Sequence, residues 1–235
     1  MTRRRGVARV RHDRYVDAIA LEIPGPGRWL VQNSPARRVP SHGTELFGSR
    51  YAIDLVGVDA RGRSAPRSLR SLVTVERPEA FTGFGRPVLA PIAGEVVVVH
   101  DGEPDHAARR SAVTLLPYAL GQASRVREGV AAIAGNHVIL TARDGVCVAI
   151  VHLKRGSIRV AVGDRVQAGA QLGECGNSGN STEPHVHLQA TDRAEMLAAR
   201  GLPIVFRCFR ELIRGGEWAE RTMAVPGVGS LIEAA

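Results

Sequence analysis

The sequence is poor in cysteine and in aromatic residues, and it lacks a long apolar run. Its three cysteines (Cys147, Cys175 and Cys208) lie far apart with no CxxC spacing, which is typical of buried thiols rather than of a disulfide framework. No apolar run approaches the roughly 20 residues that a membrane-spanning helix needs. The arginine-rich start is not followed by an apolar segment, so we expect no secretory signal peptide.

The chain is strongly basic, but its charge is not concentrated. A net charge of +8 and an isoelectric point near 10.5 fit contact with an acidic polymer, whether nucleic acid, cell-wall polymer or anionic lipid. Apart from Arg3–Arg5 the arginines are spread along the chain, and Lys154 is the only lysine. Aromatic residues make up 4% of the chain, which leaves few stacking platforms for single-stranded nucleic acid. We therefore expect no nucleic-acid partner.

Short strand patterns separated by glycine and proline turns predict a mainly β protein. Asp17–Ile23 and Arg28–Gln32 flank a Pro-Gly-Pro-Gly turn, which predicts a β-hairpin. Asn136–Leu140 and Val146–Leu153 flank an Asp-Gly turn, which predicts a second hairpin. Few segments suit a helix, so we expect a sandwich or barrel of short antiparallel strands.

Composition divides the chain into a central domain and two extensions. We assign residues 1–39 to an N-terminal extension whose hairpin packs on the domain, 40–190 to the domain itself, and 191–235 to a C-terminal extension. Residues 101–132 form an insertion in the domain that could include a short helix. Residues 190–200 also suit a helix, and they predict a short C-terminal helical segment.

Two segments of the chain resemble one another. Gly85–Glu95 and Gly163–Glu174 share a G-x-x-V-x-A pattern followed by Gly-Glu, with a slip of one residue between the two copies. The similarity predicts two strand–turn–strand units that face each other.

The most informative stretch is Gly176–Gln189, which reads GNSGNSTEPHVHLQ. Alternation along a strand places His185 and His187 on one face, roughly 7 Å apart at Cβ. Two imidazoles in this arrangement can divide the work of a metal site, because one holds the ion and the other reaches a bound water or substrate oxygen. The alternative is a polar sheet face with two unrelated histidines.

A second unusual residue is Asp54, which lies in Tyr51–Val58, a segment with strong β-propensity. An unpaired buried carboxylate is costly, so Asp54 requires a partner. A metal ion and an arginine such as Arg50 are both possible at this stage.

The order YAIDL, VLAPIAGEVV, AIVHL, GDRVQAGAQLG and GNSGNSTEPHVHLQ resembles the lysostaphin-type (LytM-like) zinc metallopeptidases over roughly residues 40–190. The resemblance implies a duplicated hybrid motif β-fold and cleavage of peptide cross-links or stem peptides in bacterial peptidoglycan. It implies that Asp54 and His187 bind Zn²⁺, and that His152 and His185 are the catalytic histidines. One of these would act as general base and the other would stabilise the tetrahedral intermediate.

The sequence departs from the family pattern at the first zinc ligand. The family has a histidine four residues before the aspartate, where this chain has Arg50, which stays protonated and cannot bind zinc. His42 is the nearest substitute, and we expect it to complete the three protein ligands of a catalytic zinc site with Asp54 and His187.

Other polar residues receive simpler interpretations. Asn177, Asn180 and Glu183 precede the two histidines, and we expect them to serve turn chemistry, although orienting the ligands or binding substrate is an alternative. The histidines at positions 12, 100 and 106 are expected to be solvated, and His137 to lie away from the site. Cys147 and Cys175 are expected in the core.

Two rival functions remain open. The change at Arg50 also fits a non-catalytic binding or regulatory module of the same family. The barrel-like strands resemble biotinyl and lipoyl carriers too, but Lys154 is not at a hairpin tip beside methionine. The family role implies the cell envelope or secretion, whereas the start of the sequence predicts a cytoplasmic protein.

Overall fold

Strands form most of the core in the computed structural model, which describes residues 17–66 and 69–235. Arg3–Arg5 and His12 lie outside the described residues. The strands are β1 (Ile19–Leu21), β2 (Arg28–Val31), β3 (Ile53–Val58), β4 (Pro87–Leu89), β5 (Gly94–His100), β6 (Asn136–Thr141), β7 (Cys147–Leu153), β8 (Arg165–Val166), β9 (Gln171–Glu174), β10 (Val186–Thr191), β11 (Gly201–Leu202), β12 (Ile204–Leu212), β13 (Trp218–Ala224) and β14 (Leu231–Glu233).

The helices are short, and the longer ones lie in the insertion. They are α1 (Ala112–Leu120), α2 (Gln122–Glu128) and α3 (Val130–Ala134), with 3-10 turns at Leu46–Tyr51, Arg70–Leu72 and Pro78–Ala80. The single helix expected for the insertion is therefore three consecutive helices. Within the described part of the chain, each helix is too short or too polar to cross a membrane.

Twelve of the strands form one sheet, with β4 and β9 paired separately. The order is β1-β12-β14-β2-β3-β10-β7-β6-β5-β8, with β11 beside β10 and β13 beside β12. The central strands β3, β7 and β10 are buried along their whole length. Both faces of this region are therefore covered, which explains the nearly continuous apolar character of these segments. The main core includes Leu55, Ile150 and Leu188, and a smaller cluster includes Ile139, Ala149 and Met196.

The two similar segments do face each other. The two strands of the first copy, β4 and β5, pair with β9 and β8 of the second copy, in each case antiparallel. The predicted β6–β7 hairpin also forms, with Thr141 opposite Cys147 beside the Asp-Gly turn. The prediction of a mainly β fold is confirmed.

The predicted N-terminal hairpin is wrong. Strand β1 pairs in parallel with β12, whereas β2 pairs with β3 and β14. The backbone between β1 and β2 bonds elsewhere, since the Leu89 amide donates to the Pro24 carbonyl at 2.7 Å and the Glu22 amide to the Pro91 carbonyl at 2.8 Å. Leu21 is completely buried in the core beside Phe206, so apolar packing against a distant strand outweighs local reversal.

The predicted C-terminal helical segment is also wrong. Strand β10 continues to Thr191, and a loop then returns to β11, which pairs with β10. The Asp192 carboxylate accepts the Arg200 amide at 2.8 Å, and the carbonyl of Arg200 accepts the Asp192 amide at 3.1 Å. These local bonds close the loop and compete with helix formation.

Candidate active site

Three neighbouring strands bring the predicted site residues together. Asp54 on β3 lies directly opposite His187 on β10, so their side chains share one face of the sheet. His185 immediately precedes β10, two residues before His187. On the other side of β10, Val151 of β7 is opposite His187.

His152 reaches the same face by breaking the alternation of β7. Because Val151 faces the site, regular alternation would direct His152 to the opposite face. His152 instead has a φ of 63°, a left-handed conformation that costs a non-glycine residue about 1–2 kcal/mol. Its ring centroid lies 4.7 Å from that of His185 and 5.9 Å from that of His187. Backbone strain therefore aims this imidazole into the site.

Two imidazoles contact the Asp54 carboxylate. Nε2 of His42 lies 2.9 Å from Oδ2, and Nδ1 of His187 lies 2.9 Å from Oδ1. His185 is slightly farther away, with Nε2 3.7 Å from Oδ1. Asn33 donates its side-chain amide to Oδ2 at 2.6 Å. The buried carboxylate thus has nitrogen neighbours at both oxygens.

Backbone carbonyls fix the proton positions of His152 and His185. A carbonyl oxygen only accepts, so Nδ1 of His152 donates to Ser178 at 2.8 Å and Nδ1 of His185 donates to Glu183 at 2.8 Å. Each neutral ring then carries its lone pair on Nε2. For His185 this atom is directed at Asp54. Both residues can therefore accept a proton at Nε2.

Gln189 fixes the proton of His187 on Nε2, the nitrogen that carries the lone pair in His152 and His185. The Gln189 amide donates from Nε2 to the Phe47 carbonyl at 2.7 Å, which leaves Oε1 to accept from Nε2 of His187 at 3.0 Å. A neutral imidazole has one N–H, so the lone pair on Nδ1 of His187 then faces the Asp54 carboxylate. Two acceptors in contact require a cation between them or a proton on the ring.

Burial and charge shift the pKa values of two site residues. Burial alone would raise the pKa of Asp54, but the nearby His42 and His185 and the close contacts of His187 and His42 with its oxygens hold it well below its ordinary value. The pKa of His152 is also lowered well below its ordinary value, first by burial and then by repulsion from His185 and His187. Asp54 is therefore ionised and His152 neutral at neutral pH.

The donor set fits a divalent metal ion. One ligand atom from each of His42, Asp54 and His187 lies within 4.8 Å of the other two. Two imidazole nitrogens and a carboxylate oxygen are the ligands of many catalytic zinc sites. A cation at this place would also resolve the contact between the His187 lone pair and the carboxylate.

Arg50 and the loop before the histidines do not join this cluster. The Arg50 guanidinium pairs with Glu45 and lies 5.5 Å from the Tyr51 ring. Asn180 accepts from Arg125 at 2.8 Å. The Glu183 carboxylate accepts from Gln32 and, at 2.8 Å, from Ser64. These contacts, with those of Asn177 to the backbone of His106, organise the loop.

The histidines outside the site that the structure describes have other partners. His137 is buried, donates from Nδ1 to the Gly135 carbonyl at 2.7 Å and stacks on His100 at 5.4 Å between ring centroids. His106 contacts the Gly179 carbonyl through Nε2 at 2.7 Å. His106 is therefore partly buried rather than solvated.

Sequence reasoning missed three residues that hold the cluster in place. Asn33 contacts Asp54, Gln189 contacts His187, and Ser41 places Oγ 3.0 Å from Nδ1 of His42. Gln189 could have been found, because it lies two residues after His187 on the same face of a predicted strand. Asn33 and Ser41 lie in a loop, where no periodicity indicates direction.

The cluster lies in a cleft of about 350 Å³. Polar residues such as Gln32, Asn33 and Thr182 line it, together with the apolar residues Leu46, Phe47, Val126, Ile133, Ala134, Val151 and Met196. The insertion thus supplies one wall of the cleft. A concave site with convergent polar groups is the usual form of an active site.

Comparison with known proteins identifies the protein family. The model of Peptidase family M23 matches residues 79–198, just over half of the chain. The chain therefore belongs to peptidase family M23 and is a metallopeptidase by family, which confirms the resemblance found in the sequence. His152, His185 and His187 lie within the matched residues, whereas His42 and Asp54 precede them.

Several solved structures are similar to this chain at low identity. A zinc-containing peptidase from Vibrio cholerae is 18% identical with a TM-score of 0.40, over 79% of this chain and 41% of that one. The lysostaphin catalytic domain from Staphylococcus simulans is 18% identical with a TM-score of 0.37, over 75% and 88%. The M23 metalloprotease pseudoalterin is 12% identical with a TM-score of 0.44, over 88% and 98%.

The chain spans less than half of the Vibrio cholerae peptidase. A comparison with curated proteins finds no match.

Proposed function

We propose that this protein is a zinc-dependent endopeptidase whose ion is held by His42, Asp54 and His187. The observation that carries the proposal is the convergence of two imidazole nitrogens on the buried Asp54 carboxylate, each at 2.9 Å. Gln189 supports it by directing the Nδ1 lone pair of His187 towards that carboxylate. A hydrogen-bonded outer partner of this kind is typical of metal-bound histidines.

His152 and His185 would carry the protons of the reaction. Zinc, when bound, would polarise the scissile carbonyl and make a water molecule acidic enough to attack it. His152 is neutral and its Nε2 lone pair is free, so it suits the general base that receives the proton of that water. His152 would then return that proton to the leaving amine through Nε2, and His185, when protonated at Nε2, would stabilise the developing negative charge.

The substrate we propose is a peptide of bacterial peptidoglycan, either a cross-link or a stem peptide. Two considerations support it: the family, and the net charge of +8, which favours an acidic wall polymer. This substrate requires the protein to act in the cell envelope, and fractionation of the source cells tests that requirement.

Metal analysis and peptide hydrolysis together test the function. Purified protein should contain about one zinc ion per chain, and the Asp54→Ala, His187→Ala double variant should contain none. His152→Ala and His185→Ala should each lower kcat by about 10²–10⁴-fold while zinc stays bound. A protein without zinc, or one whose hydrolysis of cell-wall peptides survives both histidine changes, would contradict the proposal and favour the non-catalytic module.

A further inference from the structure

Beside the catalytic residues, the cleft continues into an apolar region that the peptidase mechanism does not use. On the face of the sheet that carries His187, Val151 lies opposite His187 and Ala149 lies opposite Gln189. Ala149 and Val151 pack with Met196 and Ala134, and Phe47 lies against this cluster. The face therefore changes from polar to apolar within one or two residues of the site.

The second and third helices of the insertion close this region from one side. Val126 of α2 and Ile133 of α3 line the cleft, and both are only partly buried. Phe47, whose carbonyl accepts from Gln189, lines the same cleft. Partly exposed apolar side chains facing one another across a cleft can bury a third apolar group between them.

The insertion is fixed firmly to the catalytic loop. The Asn180 amide donates to the Ile133 carbonyl at 2.9 Å, and the Arg125 side chain donates to that of Asn180 at 2.8 Å. Gly135, which ends α3, lies so close to Ser178 that a Cβ atom would come within 2.4 Å of its Oγ. Since the Ser178 carbonyl holds His152, the apolar wall has a defined position relative to the catalytic residues.

The cleft offers little to a charged side chain. Among the described residues that line it, Asp54 is the only carboxylate, and none is a lysine or arginine. A charged substrate side chain in the apolar part would lose its hydration without gaining a counter-ion. A glycine would leave the apolar walls in contact with water.

We infer that this region is a specificity subsite for an uncharged apolar side chain, aliphatic or aromatic, on the substrate residue next to the scissile bond. The inference deepens the proposed function and rests on it. It also gives the insertion a role, since Val126 and Ile133 set the preference. The occupant must be larger than glycine, because glycine has no side chain that could cover the apolar lining of the cleft.

Peptides that differ at one residue test the inference. Leucine, phenylalanine, glycine, lysine and glutamate are placed in turn on each side of the scissile bond. Wild-type kcat/KM should be at least about 10-fold higher for leucine than for glycine, and lowest for the charged residues. In the Val126→Ser, Ile133→Ser variant the preference for leucine over glycine should fall by about 10-fold.

Val113→Ser is the matched control, because Val113 lies on α1 with 63% of its side chain exposed and does not line the cleft. It should keep the wild-type preference. Equal rates for leucine and glycine, or a leucine preference that the double variant retains, would overturn the subsite while leaving the peptidase function intact.

A binding measurement separates the subsite from the peptidase function. Calorimetry with His185→Ala protein, which should consume peptide too slowly to interfere, should show tighter binding of the leucine peptide than of the glycine peptide. The Val126→Ser, Ile133→Ser changes should remove this difference. If wild-type protein cleaves no peptide the proposed function fails, and equal affinities for the two peptides would then also overturn the subsite.

Discussion

Nε2 of His42 lies 2.9 Å from Oδ2 of Asp54, although the two residues are 12 positions apart and the usual ligand position of the family, four before the aspartate, holds Arg50. The 3-10 turn at Leu46–Tyr51 and the loop before it place the imidazole there. The Ser41 amide donates to the Arg50 carbonyl at 3.0 Å, which brings the start of this loop beside its end.

Replacing His42 should therefore weaken zinc binding, whereas replacing Arg50 should not. If one of the three proposed protein ligands is removed, water must take its coordination position and the ion is held less tightly. We expect His42→Ala to lose zinc during dialysis against a mild chelator, and Arg50→Ala to retain it. Metal content by mass spectrometry and a competition titration measure both. Equal retention by the two variants would show that His42 is not a ligand.

Gln189 should affect metal binding without touching the metal. Gln189→Leu removes the acceptor of the His187 Nε2–H and frees the ring to turn, so zinc affinity should fall by about 10–100-fold. Gln189→Glu keeps an acceptor and should bind zinc better than Gln189→Leu. Gln167→Leu, at an exposed position on the loop after β8, serves as the control. A Gln189→Leu protein with wild-type zinc affinity would show that Gln189 does not position His187 for metal binding.

Gly135 should be far less tolerant of a side chain than Gly145. Both glycines have positive φ, 61° and 85°, so alanine at either position introduces backbone strain. At Gly135 the new Cβ would also meet Ser178 Oγ at 2.4 Å, whereas nothing lies within 4 Å at Gly145. We expect Gly135→Ala to lose about 1–3 kcal/mol more than Gly145→Ala.

Urea unfolding of both variants measures this difference in the free energy of unfolding. Because Ser178 holds His152, Gly135→Ala should also lower kcat. Equal free energies of unfolding for the two variants would contradict the close packing of the insertion on the catalytic loop.

The metal-free protein should lose stability as the pH falls below about 6.5, the pKa of an unperturbed histidine. Burial lowers the pKa of His152 and of His137 in the folded state, so the unfolded chain binds protons that the folded chain does not. Stability therefore rises with pH through this window, by up to about 1.4 kcal/mol per pH unit for each such group.

Urea unfolding of chelator-treated protein at pH 7.5 and 5.5 checks the sign and the size of this change. His152→Gln should show a smaller loss of stability between the two pH values, because only His137 still contributes. A variant with the wild-type pH dependence would mean that His152 is not buried in its neutral form.

Much of the candidate site could be predicted from the sequence, because the alternation of side chains along a strand is a local property. The spacing of His185 and His187 follows from the two-residue period of a strand, and the apolar neighbours of Asp54 indicated a buried carboxylate. The same rule failed for His152, since alternation after Val151 directs it away from the site and only its left-handed backbone brings it back. Such a conformation is imposed by surrounding packing and has no sequence pattern.

The two errors in the fold have different causes. A Pro-Gly-Pro-Gly turn between two strand patterns suggested a hairpin, but Leu21 is buried against the distant strand β12 instead, and this packing outweighs a weak local preference. Residues 190–200 suited a helix by composition, but Asp192 closes a loop with Arg200, and these short-range hydrogen bonds compete with the helix.

The sequence by itself determined the β character of the chain, its repeated strand units and the residue types of a metallopeptidase, because side-chain period and turn chemistry are local. Only the tertiary structure decided which imidazole joins Asp54 and His187, how the insertion lines the cleft, and how Asn33 and Gln189 contact Asp54 and His187. These relations depend on where loops end in space, and a loop has no periodic pattern that fixes its direction.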